Sequence, residues 1–171
     1  MKPAERMGEN MKNMTLTNIA RACNGRLLYP AENSRKETEH AEAVGVVIDS
    51  RKAGENFIFV ATKGERVDGH RFIPDVFAKG ALGVVCEKEP ESLPGPCIVV
   101  EDSFEALKQI GEFYRQQLPV KVVGITGSVG KTSTKEFVAA VLAMKYKVHK
   151  TLGNYNNEVG VPLTVLSMPE D

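Results

Sequence analysis

Gly124-Ile125-Thr126-Gly127-Ser128-Val129-Gly130-Lys131-Thr132-Ser133 is the stretch on which the reading of this chain turns. The β-branched run Val120–Ile125 leads into it and reads as a strand. Thr132–Met144 follows and reads as a helix, with Phe137, Val138, Val141 and Leu142 at the spacing that faces a sheet. Strand, glycine loop and helix are the parts that a polyphosphate cradle requires. Such an anion needs several donors converging on it and a backbone that can come close. Gly127 and Gly130 carry no side chain to block that approach. The amides from Thr126 through Ser128 and Val129 to Ser133, and the N-terminus of the helix, supply donors. Lys131 adds a mobile positive charge, and the Thr132 hydroxyl is placed to ligate Mg²⁺. The pattern departs from the strict GxxxxGK[ST] form, because Ile125 stands where that form has glycine. A glycine-rich turn with a chance Gly-Lys-Thr is the plainer alternative, and the flanking strand and helix argue against it.

Upstream, strands and helices alternate. Thr15–Cys23 reads as a helix stopped by Asn24-Gly25, and Leu27–Tyr29 as a short strand. Pro30–Ala43 is polar and aperiodic and reads as a surface loop. Val44–Ile48 and Asn56–Ala61 read as strands, Phe72–Lys79 as a helix closed by Gly80, and Ala81–Cys86 and Cys97–Val100 as further strands. Asp102 and Glu105 resemble a capping pair for a helix that buries Phe104, Leu107, Ile110 and Tyr114 and ends before Pro119. The expectation is an α/β fold. Residues 1–14 form a frayed tail, 15–117 an α/β sandwich, and 118–171 the opening of a second α/β unit, with Val148 and its neighbours as the next strand. One strand–helix–strand unit cannot cover both faces of a parallel sheet, so that second unit reads as truncated.

Bulk properties narrow the function. The 171 residues hold 22 basic and 22 acidic side chains, and that balance argues against nucleic acid as a partner. No stretch approaches a membrane span. Cys23, Cys86 and Cys97 lack metal-ligand spacing, and Cys86 and Cys97, in or beside apolar runs, read as core residues of a reduced, cytoplasmic protein. His40, His70 and His149 carry no catalytic signal; His70 reads as a cap or packing residue.

A second block sharpens the reading: Lys150-Thr151-Leu152-Gly153-Asn154-Tyr155-Asn156-Asn157-Glu158-Val159-Gly160-Val161-Pro162-Leu163-Thr164. On residue chemistry alone its asparagines favour turn formation. A third segment pairs Asp49-Ser50-Arg51 with Phe57-Ile58-Phe59-Val60-Ala61-Thr62-Lys63-Gly64-Glu65-Arg66-Val67-Asp68-Gly69-His70. Ser50 and Arg51 at a strand end, and Lys63, Gly64 and Arg66 on a loop, suit a diphosphate or a uracil edge; a lone Asp-Ser-Arg would be a surface turn.

Together these segments resemble the Mur ligase family, and within it the MurF type, over roughly residues 15–171. The resemblance implies an N-terminal domain that binds a uridine nucleotide, over 15–117, and the beginning of the central ATP-binding domain, over 118–171. It implies ATP and Mg²⁺ as cofactors, with Lys131 and Thr132 catalytic, Thr126–Ser133 and Asn157 on the nucleotide, and Ser50, Arg51, Lys63 and Gly64 on the uridine substrate. Glu158 is either a metal ligand or a structural cap. The implied reaction joins D-alanyl-D-alanine to UDP-N-acetylmuramoyl-tripeptide through an acyl phosphate, in a monomeric enzyme of peptidoglycan synthesis. These residues alone are expected not to ligate. The rival readings are another Mur ligase such as MurE, a folyl-polyglutamate synthetase relative, an inert uridine-nucleotide-binding fragment, or an unrelated P-loop kinase or GTPase.

Overall fold

Thr15 starts the first helix, because its Oγ1 accepts the backbone N–H of Asn18 at 3.3 Å and so satisfies one of the helix's orphan donors. In this computed structural model, which describes residues 10–64, 67–153, 155 and 157–170, that helix is α1, Leu16–Ala22. Asn24, at φ 50°, then turns the chain into β1, Arg26–Leu28. Next come α2 (Glu32–Thr38), β2 (Gly45–Val47), β3 (Phe57–Val60), a 3-10 turn (Gly69–Phe72) and α3 (Ile73–Ala78). Gly80, at φ 88°, adopts the left-handed conformation that ends α3. β4 (Gly83–Cys86), β5 (Cys97–Val99), α4 (Ser103–Gln117), α5 (Lys131–Leu142) and α6 (Gly160–Leu166) complete the order.

The five strands form one sheet in the order β1-β5-β4-β3-β2. β2 to β5 run parallel, and β1 closes one edge antiparallel, with Leu27 opposite Ile98. Parallel strands need cover on both faces, and their side chains alternate between two cores. Ile58, Val60, Val85 and Ile98 point into the larger core, beneath α1, α4 and α6. Phe59, Ala61, Val84, Cys86 and Cys97 point into the smaller one, beneath α3. Asp102 caps α4 by accepting the N–H groups of Phe104 and Glu105 at 2.8 and 2.9 Å, as the capping pair predicts.

The structure overturns several expectations. Residues 11–14 are not part of a frayed tail: Met11 and Met14 are fully buried, and their backbones exchange hydrogen bonds with Ala43 at 2.7 and 2.9 Å. Composition favoured a tail there, but the polar neighbours face outward while the two methionines fill the core. Pro30–Ala43 is not all loop. It holds α2, a surface helix with no apolar stripe, whose Glu32 lies in the first turn and Arg35 and Lys36 in the last, in favourable order for the helix dipole.

After residue 118 the expected sheet does not form. Among the described residues, neither Val120–Ile125 nor the segment at Val148 is a strand. A strand needs a ladder partner, and no other segment offers one. Phe137 and Val141, expected to face a sheet, are 74% and 67% exposed, and only Ala139 of α5 is buried. α6, which the sequence reading did not assign, packs instead on α4, with Leu166 3% exposed in the larger core.

Met14→Ala is expected to lower stability by about 2–5 kcal/mol, the usual cost of emptying a buried Met or Leu site. Urea denaturation against Leu107→Ala checks it; a loss near zero for Met14 alone would place that residue outside the cooperative core.

Candidate functional site

The loop 124–130 is shaped by two glycines in the left-handed region, Gly127 at φ 151° and Gly130 at φ 79°. An L side chain at either position is strained. Gly130 is the N-cap of α5 and makes no side-chain cap, so the amides at this helix end are left to other acceptors. Thr126, Gly127, Ser128, Val129 and Gly130 are all exposed, with Val129 at 91%. Lys131 folds back over the loop, and its Nζ donates to the Gly127 carbonyl at 2.5 Å. Thr132 and Ser133 stand exposed in the first turn of α5. Converging backbone donors, a helix dipole and one cation over the loop make a cradle suited to a multiply charged anion.

α5 is tied to the block that follows it. Lys135, one turn beyond Lys131, donates to the carbonyls of Thr151 at 2.7 Å and Gly153 at 3.3 Å. Lys150 pairs with Glu136. Asn157 accepts the Gly160 N–H at 2.7 Å through Oδ1, so it caps the start of α6 and keeps the donor end of its amide out of that bond. Glu158 lies 3.6 Å from Lys108 of α4, whose ammonium pKa is raised chiefly by the Glu158 charge. The structure thus puts Glu158 in an ion pair with a lysine. Among the described residues no three His, Cys, Asp or Glu side chains group as metal ligands. Asn154 and Asn156 lie outside the described residues.

Asp49-Ser50-Arg51 and Lys63-Gly64 follow the carboxyl ends of β2 and β3, which are sheet neighbours. Loops beyond the carboxyl ends of parallel strands are where such sheets bind ligands. Arg51 binds Asp49 in a fork, with Nε 2.9 Å from Oδ1 and Nη2 2.7 Å from Oδ2. That side-chain contact, helped by the Arg51 backbone N–H, lowers the Asp49 pKa to about 2. The guanidinium is 87% exposed despite the pairing. The Ser50 carbonyl accepts from Lys79 at 2.7 Å, which holds the segment against the end of α3. Lys63 forms an isolated bridge with Asp68, and Gly64 N–H donates to the Val67 carbonyl at 3.0 Å. Arg66 lies outside the described residues.

Two of the three histidines are tied to neighbouring backbone, and the cysteines are buried. His70 Nε2 accepts the Glu87 N–H at 2.9 Å, so Nδ1 carries the proton and donates to Asp68 at 2.6 Å. His149 Nε2 lies 3.0 Å from the Thr164 carbonyl and so fastens its segment to α6. All three thiols are buried and unpaired, and burial pushes Cys23 up to about 11. Lys108 and Lys135 escape sequence reading, because each looks like a solvent-facing helix lysine until the partner backbone is in place.

Comparison with known proteins gives a consistent picture. The profile of the Mur ligase family, catalytic domain, matches residues 42–129, and that of the Mur ligase middle domain matches 125–171. A UDP-N-acetylmuramoyl-tripeptide–D-alanyl-D-alanine ligase of Bacillus subtilis is 42% identical over 162 residues, covering 92% of this chain and 34% of the relative. The Escherichia coli ligase of the same name is 42% identical over 123 residues, 72% of this chain and 27% of the relative. A crystal structure of MurF from Acinetobacter baumannii superposes with a TM-score of 0.82 at 31% identity, over 95% of this chain and 34% of that one. MurF from Thermotoga maritima, in complex with ADP, superposes with a TM-score of 0.65 at 37% identity, over 72% and 29% of the two chains. The chain spans about a third of the length of these relatives.

The depressed Asp49 carboxyl gives a pH prediction. Its folded-state pKa lies below the unfolded value, so the stability it adds is present above the ordinary aspartate range and is lost as pH falls through about 2. Carbon-detected NMR should find the Asp49 midpoint near 2, and Arg51→Ala should return it toward the ordinary range. An unchanged midpoint in the variant would assign the shift elsewhere.

Proposed function

The chain belongs to the Mur ligase family, and on that premise we propose that it supplies the uridine-nucleotide-binding domain and the phosphate-binding start of the ATP-binding domain of a MurF-type ligase. The reaction is formation of an amide between the terminal carboxylate of UDP-N-acetylmuramoyl-tripeptide and the amine of D-alanyl-D-alanine. ATP gives its terminal phosphoryl group to the carboxylate and leaves as ADP, and the amine then displaces inorganic phosphate from the acyl phosphate and loses a proton. The observation that carries this reading is the loop itself: two left-handed glycines at the head of α5 with Lys131 folded over them.

Each residue has a physical part in the proposal. The amides from Thr126 to Ser133 bind phosphate oxygens, with Gly127 and Gly130 letting the backbone approach and Ser128 and Val129 forming the turn between them. Lys131 exchanges its contact with the Gly127 carbonyl for the phosphates, where its charge offsets the charge that develops during transfer. Asn157 offers the donor end of its amide to the same phosphates. The Thr132 hydroxyl, exposed in the first turn of α5, fits one ligand of a Mg²⁺ ion held otherwise by phosphate oxygens and water, the usual manner for this ion. The pairing of Glu158 with Lys108 favours a structural role for it over metal ligation. Ser50, Arg51, Lys63 and Gly64 hold the uridine nucleotide at the carboxyl edge of the sheet, with Arg51 moving from Asp49 to the diphosphate. No side chain here is needed as a covalent nucleophile.

Three buried thiols outside any disulfide fit a reducing compartment such as the cytoplasm. No described helix is long and apolar enough to cross a membrane.

Titration calorimetry with ADP, GDP and UDP-N-acetylmuramoyl-tripeptide tests the reading. The chain is expected to bind ADP and the uridine compound and to ignore GDP. Lys131→Ala should weaken ADP by at least about tenfold, the scale of one lost charge-assisted contact, and leave the uridine compound unaffected. Preference for GDP, or indifference to the uridine compound, would point to an unrelated P-loop protein. In the completed enzyme, a single amino acid accepted in preference to D-alanyl-D-alanine would point to another Mur ligase.

A further inference from the structure

α4 faces two ways. Ala106, Leu107, Ile110 and Tyr114 pack into the larger core. The adjoining side of the same helix, at Lys108, Gly111 and Tyr114, receives the segment 158–168. Three contacts of different kinds span this seam. Lys108 pairs with Glu158 at 3.6 Å. Gly111 lies against Pro162, so closely that a Cβ at Gly111 would stand 3.4 Å from both the Cα and the Cβ of the proline. The fully buried Tyr114 donates its hydroxyl to the Met168 carbonyl at 2.9 Å. Pro162 and Leu166 are buried in the same contact.

The seam sits one bond away from Asn157. Its Oδ1 takes the first N–H of α6, so wherever α6 goes the amide follows. His149 ties the preceding segment to the far end of α6, and Lys135 ties α5 to the carbonyls at Thr151 and Gly153. A run of contacts therefore leads from α4, in the sheet domain, through α6, His149 and the 149–153 segment to the helix that begins at Lys131, and Asn157 is fastened to the first turn of α6 on that run.

We propose that Gly111 and Tyr114 of α4 are positioning residues for the nucleotide site: they seat α6 and thereby aim the Asn157 amide. This rests on the assignment of Asn157 to the nucleotide phosphates made above. Lys108 holds the neighbouring Glu158 in the same way. The sheet domain, which binds the uridine nucleotide in that reading, thus fixes part of the ATP site through the seam and touches neither phosphate nor metal. Gly111 serves because alanine already reaches van der Waals contact with Pro162 and any larger side chain must push α6 outward.

The test compares the unaltered chain with Gly111→Leu, Gly111→Ala and Tyr114→Phe. Calorimetry measures ADP and UDP-N-acetylmuramoyl-tripeptide separately, and amide hydrogen exchange reports the Gly160 N–H. Gly111→Leu is expected to weaken ADP by about tenfold, within the usual span of coupling between sites. It should also speed exchange at Gly160 and leave the uridine compound unchanged. Gly111→Ala should stay near the unaltered chain. Tyr114→Phe keeps the buried ring and removes the hydroxyl that donates to Met168, so it should show a smaller loss of the same pattern; it serves also if Gly111→Leu fails to fold. Unchanged ADP affinity and unchanged exchange in Tyr114→Phe and in folded Gly111→Leu would overturn the proposal and leave the function standing. Equal losses for both ligands would reduce the seam to general stability and overturn it too. Failure of the unaltered chain to bind ADP would overturn the functional reading itself, and the proposal with it.

Discussion

The seam between α4 and α6 depends on a small residue at position 111, where even a Cβ would already stand at contact distance from Pro162. Two helices approach this closely only where the facing side chain is small or missing, and here Gly111 meets a proline that has no flexible end to move aside. The seating of α6 goes with that approach. α6 carries Leu166 into the larger core, Met168 accepts from Tyr114, and the Lys12 N–H donates to Glu170 at 2.6 Å. The described C-terminal segment is thereby folded onto the sheet domain, although the described residues between 119 and 158 contribute little to any core.

The contrast with α5 shows why the condition matters. α5 has the better loop and the longer helix, yet Phe137, Val141 and Met144 stay largely in solvent. Apolar periodicity directs a helix toward a sheet only where a sheet stands, and β-branched residues become a strand only beside a partner edge. α5 is held by polar ties at its rim, Lys135 to two carbonyls and Lys150 to Glu136, which fix its position relative to the 150–153 segment without burying its face. The phosphate loop does not need that burial for its shape. Its form comes from local backbone conformation at Gly127 and Gly130.

The same division between local and distant causes runs through the sheet domain. Its parallel strands are continuous apolar runs because both faces are covered, and the carboxyl ends of β2 and β3 present Asp49-Ser50-Arg51 and Lys63-Gly64 side by side. Arg51 is held ready by Asp49 in a fork that leaves it exposed, a geometry that a phosphate can compete for.

The sequence by itself determined what depends on neighbours along the chain. The strands β1 to β5, the caps at Thr15 and Asp102, the left-handed stop at Gly80 and the loop from Gly124 to Ser133 are all written in local residue types, because turn chemistry, capping and glycine conformation act within a few residues. The resemblance to a ligase family was legible for the same reason, since its motifs are short and contiguous. Tertiary structure alone decided the burial of Met11 and Met14, the seating of α6 on Gly111, the pairing of Lys108 with Glu158, and the lack of a strand at Val120–Ile125. Each of these depends on a partner distant in the chain. A methionine, a glycine or a valine run carries no mark of which surface it will meet, and only the packed arrangement supplies or withholds that surface.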